Sequence, residues 1–179
     1  MNLALINILA FQAGWFACIL GAARGSLWAG PIVVVVSLAF HLALAQDRRN
    51  EARLFVVAGL LGFFLDSVQA AMGIFFFTTA KAMPEWSPPW LSPPWMVALW
   101  PNFAATFHVS LSWLTGRYAL AASLGAVGGP LSYYAGARLG ALSFPPELTT
   151  SLLVVGLVWA IAMPVLLWAA KSHDDALPT

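Results

Sequence analysis

Residues Leu54 to Ala80 read LFVVAGLLGFFLDSVQAAMGIFFFTTA, a long apolar run with a single acid, Asp66, inside it. An apolar stretch of about 20 residues is long enough to cross a bilayer as a helix. An ionisable side chain at mid-membrane depth costs several kcal/mol, so it is rare and reads by default as a working site. Asp66 shares a stripe with Gly59, Gly62, Gln69 and Gly73, small or polar residues at helical spacing.

Five further runs lie on either side of this one. The spans expected are Leu3 to Ala23, Leu27 to Ala45, Leu54 to Ala80, Trp95 to Leu114, Tyr118 to Leu142 and Thr149 to Ala170. Strands of a membrane barrel would alternate apolar and polar residues, and these runs do not. The expected fold is therefore all-α: one polytopic transmembrane domain over residues 1–179, built as a six-helix bundle. Composition agrees. The chain has 179 residues, of which 61% are hydrophobic and only 8% charged. A soluble domain carries roughly 25% charged residues. The apolar N-terminus has no positive n-region and is read as a retained first helix.

With six spans both termini share a side. Arg48, Arg49, Arg53, Arg117 and Lys171 fall on that side, and Arg24, Lys81 and Arg138 on the other. The excess predicts cytoplasmic termini. Trp28, Trp86, Trp90 and Trp95 are expected at the outer interface, and Trp113 and Trp168 at the inner one. The repeated Ser87-Pro88-Pro89-Trp90 and Ser92-Pro93-Pro94-Trp95 predicts a stiff outer loop.

Other classes recede. No basic cluster exceeds Arg48-Arg49, so nucleic acid is not an expected partner. Cys18 is alone, which excludes an intrachain disulfide. No His/Glu metal-binding helix motif and no Gly-x-Ser-x-Gly elbow occurs, and no metal site is expected. No second intramembrane carboxylate is expected beside Asp66.

Depth along the helices places chemistry in one layer. Asp66 lies about twelve residues into its span, roughly 18 Å from the edge. Asn102 reaches a similar level, Gln12 a little lower, and Gln69 and Tyr133 a little higher. These five are the expected ligand or proton site, with Asp66 held as a neutral acid and hydrogen-bonded to Asn102 or Gln69. The opposing reading makes Asp66 a polar clamp between helices. His41 and His108 form a possible second polar site. Two facing imidazoles suit the axial positions of a b-type haem, which is the one cofactor weighed. Small residues at Ala121, Gly125, Gly128, Ser132, Gly136 and Gly140, and the stripe Asn7, Phe11, Gly14, Cys18 and Gly21, predict close helix packing. Pro101, Pro130 and Pro164 predict kinks, with a break at Gly128-Gly129-Pro130 as an alternative.

The segments Phe11-Gln12-Ala13-Gly14-Trp15-Phe16-Ala17-Cys18, Leu65-Asp66-Ser67, Leu99-Trp100 and Gly129-Pro130-Leu131-Ser132-Tyr133-Tyr134-Ala135-Gly136 carry a resemblance. Together they resemble a family of small bacterial inner-membrane proteins known only as a domain of unknown function. The resemblance implies a Gram-negative inner membrane. Family members are often encoded near genes of fatty-acid or lipid modification, which implies a lipid-linked role. It transfers no catalytic residue. The expected activity is binding or transport of a lipid-like or small amphipathic ligand around Asp66, or an accessory role in lipid metabolism. Membrane lipids are the expected partners, with a membrane protein or a second copy of the chain as further candidates. The alternatives are an intramembrane enzyme or redox protein acting on a lipid, and a subunit that docks through helices 1 and 5.

Overall fold

Asp47 starts the helix that carries Asp66. Its carboxylate accepts the Asn50 N–H at 3.0 Å, satisfying an otherwise orphaned donor of the first turn. The helix, α3 (Arg48–Ala71), therefore begins among charged residues that hydropathy alone cuts away. Gly73 ends it with φ +72°. The Ile74 N–H reaches back to the Gln69 carbonyl and the Gly73 N–H to that of Ala70, both at 3.0 Å, the pattern of a Schellman cap. The expected third span thus starts too late and runs too far.

The structure is a computed structural model and describes residues 3–78 and 83–171. Ala80, the expected end of the third span, and Lys81 lie outside the described residues. Helices α1 (Leu3–Ala23), α2 (Ala29–Leu44), α4 (Pro94–Ala104), α5 (Tyr118–Arg138) and α6 (Leu148–Ala169) complete an all-helical set of six. A two-residue antiparallel pairing of β1 (Phe76–Phe77) with β2 (Leu142–Ser143) ties one end and was not foreseen. The helices alternate in direction. α5 packs on α6, α3 on α4 and α6, and α2 and α4 on α1.

Three helices, α1, α3 and α6, are long and apolar enough to cross a membrane. α2 has 16 residues and α4 only 11. The fourth expected span is therefore corrected. α4 stops at Ala104, and residues 105–111 run in tight turns before a short 3-10 segment, Ser112–Leu114. The Thr106 hydroxyl donates to the Phe103 carbonyl at 2.6 Å, and the Asn7 amide donates to that of Ala105 at 3.0 Å. These side chains replace the helical ladder with local and tertiary bonds.

The second proline repeat is only half loop: Ser92 and Pro93 precede the helix, and Pro94 and Trp95 begin it. Pro94 opens α4, where a missing N–H costs nothing, and the Ser92 N–H donates to the Ser67 hydroxyl at 3.0 Å. Trp95 is buried, at 1% exposure, edge-on to Phe77; Trp28, Trp86, Trp90, Trp113 and Trp168 are exposed. Burial of Trp95 corrects its expected interfacial place.

α5 runs unbroken through Pro130. Its small face packs within the chain: a Cβ on Gly125 would stand 2.3 Å from the Trp159 carbonyl oxygen. Gly129, not Gly128, continues that face, since Gly128 has open space around it. On α1, Cys18 lies against Gly30 of α2 and Gly14 against Asn102 of α4. At these residues the small faces of α1 and α5 pack against the chain's own helices. The outward faces are apolar: Val56, Leu60, Phe64 and Val68 repeat every four residues along α3, and all are exposed.

Candidate functional site

The buried face of α3 carries Glu51, Leu54, Phe55, Ala58, Gly62, Asp66 and Gln69. Two acids therefore sit on one face, roughly 22 Å apart along the axis at 1.5 Å per residue. They have different surroundings.

Asp66 is fully buried, with no exposed surface. The Trp100 indole N–H donates to its Oδ2 at 2.8 Å, and the Tyr133 hydroxyl donates to its Oδ1. One carboxyl thus joins α3, α4 and α5. Trp100 also stacks on Trp159 of α6, with centroids 4.5 Å apart and planes at 16°. Gly62 makes room for the indole: a Cβ there would lie 2.1 Å from it. The remaining members of the expected layer are placed elsewhere. Asn102 donates to the Phe11 carbonyl at 2.9 Å. Two residues along a helix turn about 200°, so the rotation that aims Trp100 at α3 aims Asn102 at α1. Gln69 donates to the Leu65 carbonyl of its own helix at 3.2 Å. Gln12 is exposed. The structure brings Asp66 and Tyr133 together and supplies Trp100, which the reading of the sequence did not include. The expected bonds from Asp66 to Asn102 or Gln69 are not made. Asp66 lines neither of the two cavities described below.

Glu51 lies at the other end of α3, and its side chain is only 9% exposed. Its Oε1 is 2.9 Å from Nδ1 of His108. Its Oε2 is 3.3 Å from Nε2 of His41 but makes no hydrogen bond. His108 Nε2 reaches the Ala170 carbonyl at 2.7 Å. That carbonyl belongs to the end of α6, whose last carbonyls have no helical partners. The Asn50 amide also donates to Ala170 at 3.2 Å, and Arg53 donates to Ala169 at 3.0 Å and to Lys171 at 3.1 Å. Cationic groups at a helix C-terminus complement its dipole. His108 sits in the turn after α4, outside the spanning helices. Its bond to Glu51 raises the imidazole above the usual range, against the opposing effect of burial.

A cavity of about 690 Å³ opens on this cluster. Leu3, Ile6, Ala10, Phe11, Phe40 and Leu44 give it apolar walls, and Asn7, Ser37, His41, Asn50, Glu51 and His108 give it polar ones. A second hollow, of about 440 Å³, is lined almost wholly by apolar groups such as Val34, Leu38, Phe63 and Val97.

The two histidines expected as a second polar site do converge, but on a carboxylate. Both ring nitrogens of His108 are engaged, one by Glu51 and one by the Ala170 carbonyl. Glu51 is a second buried acid on the same helix, which the reading of the sequence did not single out. The signal was present: stepping back from Asp66 through Gly62, Ala58 and Phe55 by helical spacing arrives at Glu51.

Neither the curated proteins nor the solved structures contain a match to this chain. A family model does match, over residues 4–165, and its description is a protein of unknown function, DUF2878. The chain therefore belongs to the DUF2878 family of proteins of unknown function.

Proposed function

We propose that this chain is a multi-pass protein of a bacterial inner membrane that binds or carries a lipid-like or small amphipathic molecule. Its ligand occupies the cavity at the Glu51 end, with the polar head against Glu51, His41 and His108 and the tail along Ile6, Ala10, Phe11 and Phe40. In this reading the termini and that end face the cytoplasm. The observation that carries the reading is the cavity itself: apolar walls continue directly into a buried carboxylate flanked by two imidazoles. Ligand sites are concave, mostly apolar and fixed by a few polar groups, and this one has that make-up. Asp66 serves the site from a distance, as the clamp that holds α3, α4 and α5 in register.

Native mass spectrometry of protein taken from membranes in mild detergent tests this. Wild-type chain is expected to retain an amphipathic molecule. Ala10→Trp and Ser37→Trp, which fill the cavity, are expected to lose it while keeping a normal Tm. Retention of the same molecule by both filled variants refutes the assignment.

A further inference from the structure

We propose that the ligand head is an amine, received as an alkylammonium by Glu51 in exchange for a proton of His108. This rests on the cavity reading above and names its ligand class. Three observations carry it. First, both ring nitrogens of His108 face acceptors, the Glu51 carboxylate at 2.9 Å and the Ala170 carbonyl at 2.7 Å. With Glu51 ionised, a ring with a proton on each nitrogen is the form that makes both bonds. An imidazolium therefore balances Glu51 in this arrangement. Second, Glu51 Oε2 is buried and accepts no hydrogen bond, although it borders the cavity. His41 Nε2 stands 3.3 Å from it, so an N–H of a ligand can fill this acceptor once the His41 ring turns aside. Third, the permanent cations nearby are committed elsewhere. Arg53 is spent on Asn50 and the end of α6, and Lys171 Nζ sits 5.4 Å from the Tyr118 ring centroid.

The charged and titratable groups around Glu51 are His41 from α2, Asp47 from the cap before α3, Arg53 from α3, His108 from the turn after α4, and Lys171 after α6. A ligand carboxylate or phosphate entering here meets Glu51 as a like charge. An alcohol can bond Oε2 but displaces no charge. An ammonium pairs with Glu51 and removes the need for an imidazolium. His108 then loses one proton to water, through a side chain that is 34% exposed, and the net charge of the site is unchanged. No bond in the ligand is made or broken.

The test is calorimetric titration in a non-ionic detergent with three probes of equal chain length, dodecylammonium, laurate and dodecanol, in two buffers of different ionisation enthalpy. Dodecylammonium is expected to bind at least about tenfold tighter than laurate, with release of about one proton. Its affinity should then rise by up to about tenfold per pH unit while His108 is protonated. Glu51→Gln should abolish the preference for the amine. Because that variant can fail to fold, His108→Gln provides a second arm: it should keep the amine preference and lose the proton release. Equal or tighter binding of laurate or dodecanol overturns the amine assignment and leaves the cavity reading standing. Amine binding without proton release overturns the exchange. Failure of all three probes to bind overturns the cavity reading as well.

Discussion

Asp66 is held by two donors whose own positions are fixed by packing. Tyr133→Phe removes one hydrogen bond to the carboxyl and is expected to destabilise the protein by about 1–3 kcal/mol, the range for leaving a buried polar group short of a partner. Asp66→Ala is expected to cost more, because it leaves both the Trp100 N–H and the Tyr133 hydroxyl buried without a partner. Unfolding in mixed micelles reads both. Neither change should alter occupancy of the Glu51 cavity in the fraction that remains folded. Loss of ligand from well-folded Tyr133→Phe shows instead that the clamp is the site. His108 makes a different forecast. Its imidazole is raised above its ordinary 6.5, chiefly by the Glu51 bond. A group raised on folding contributes stability that is complete below its unfolded value and is lost as pH rises through its folded one. Tm is therefore expected to be higher near about pH 5.5 than near about pH 9, through this group. His108→Gln should flatten that difference; an unchanged profile in the variant rules out the imidazole as its source.

At the level of elements, the first turn of α3 captures the last turn of α6. Arg53 and Asn50 bond the carbonyls of Ala169, Ala170 and Lys171, and Arg53 also bonds Asn50. Arg53→Ala and Asn50→Ala are each expected to cost about 1 kcal/mol. Their effects should not add, because the two side chains share one network. Hydrogen exchange followed over residues 165–171 measures the release, which should be confined to that end of α6. Equal loosening throughout α6 contradicts a local cap. The same elements show why helix ends were the least legible part of the sequence. α1 and α6 are uniformly apolar between polar ends, so composition marks them to within a residue or so. α3 begins with Arg48, Arg49, Asn50, Glu51 and Arg53, which hydropathy assigns to a loop although the Asp47 cap makes them helical. α4 ends where Thr106 and Asn7 take over its backbone bonds, an event set by a residue about a hundred positions away.

Across the whole molecule, six alternating helices place Asp47 and Ser87 at opposite ends. Because Cys18 is buried, single cysteines at 47 and 87 are expected to label from opposite faces of sealed vesicles, with no reaction of the parent chain. Labelling of both from one face contradicts the alternating arrangement as a membrane topology. The bundle also separates two polar layers that a single helix carries. The Asp66 layer is sealed by the Trp100–Trp159 stack, while the Glu51 layer opens into the 690 Å³ cavity. Stiffness and access are thus assigned to opposite ends.

The amino-acid order alone determined that this is a helical protein with membrane-grade surfaces, that Asp66 is withdrawn from water, and that α1 and α5 pack through small residues. These are properties of single segments, set by hydropathy and by the helical repeat, and they need no knowledge of neighbours. Tertiary structure alone decided which polar groups meet. Two side chains at one depth can point about 200° apart, as Trp100 and Asn102 do, and depth does not record rotation about the axis. Packing turned Asp66 toward Tyr133 and Trp100, closed that end, and left Glu51 between His41 and His108 at the edge of open space.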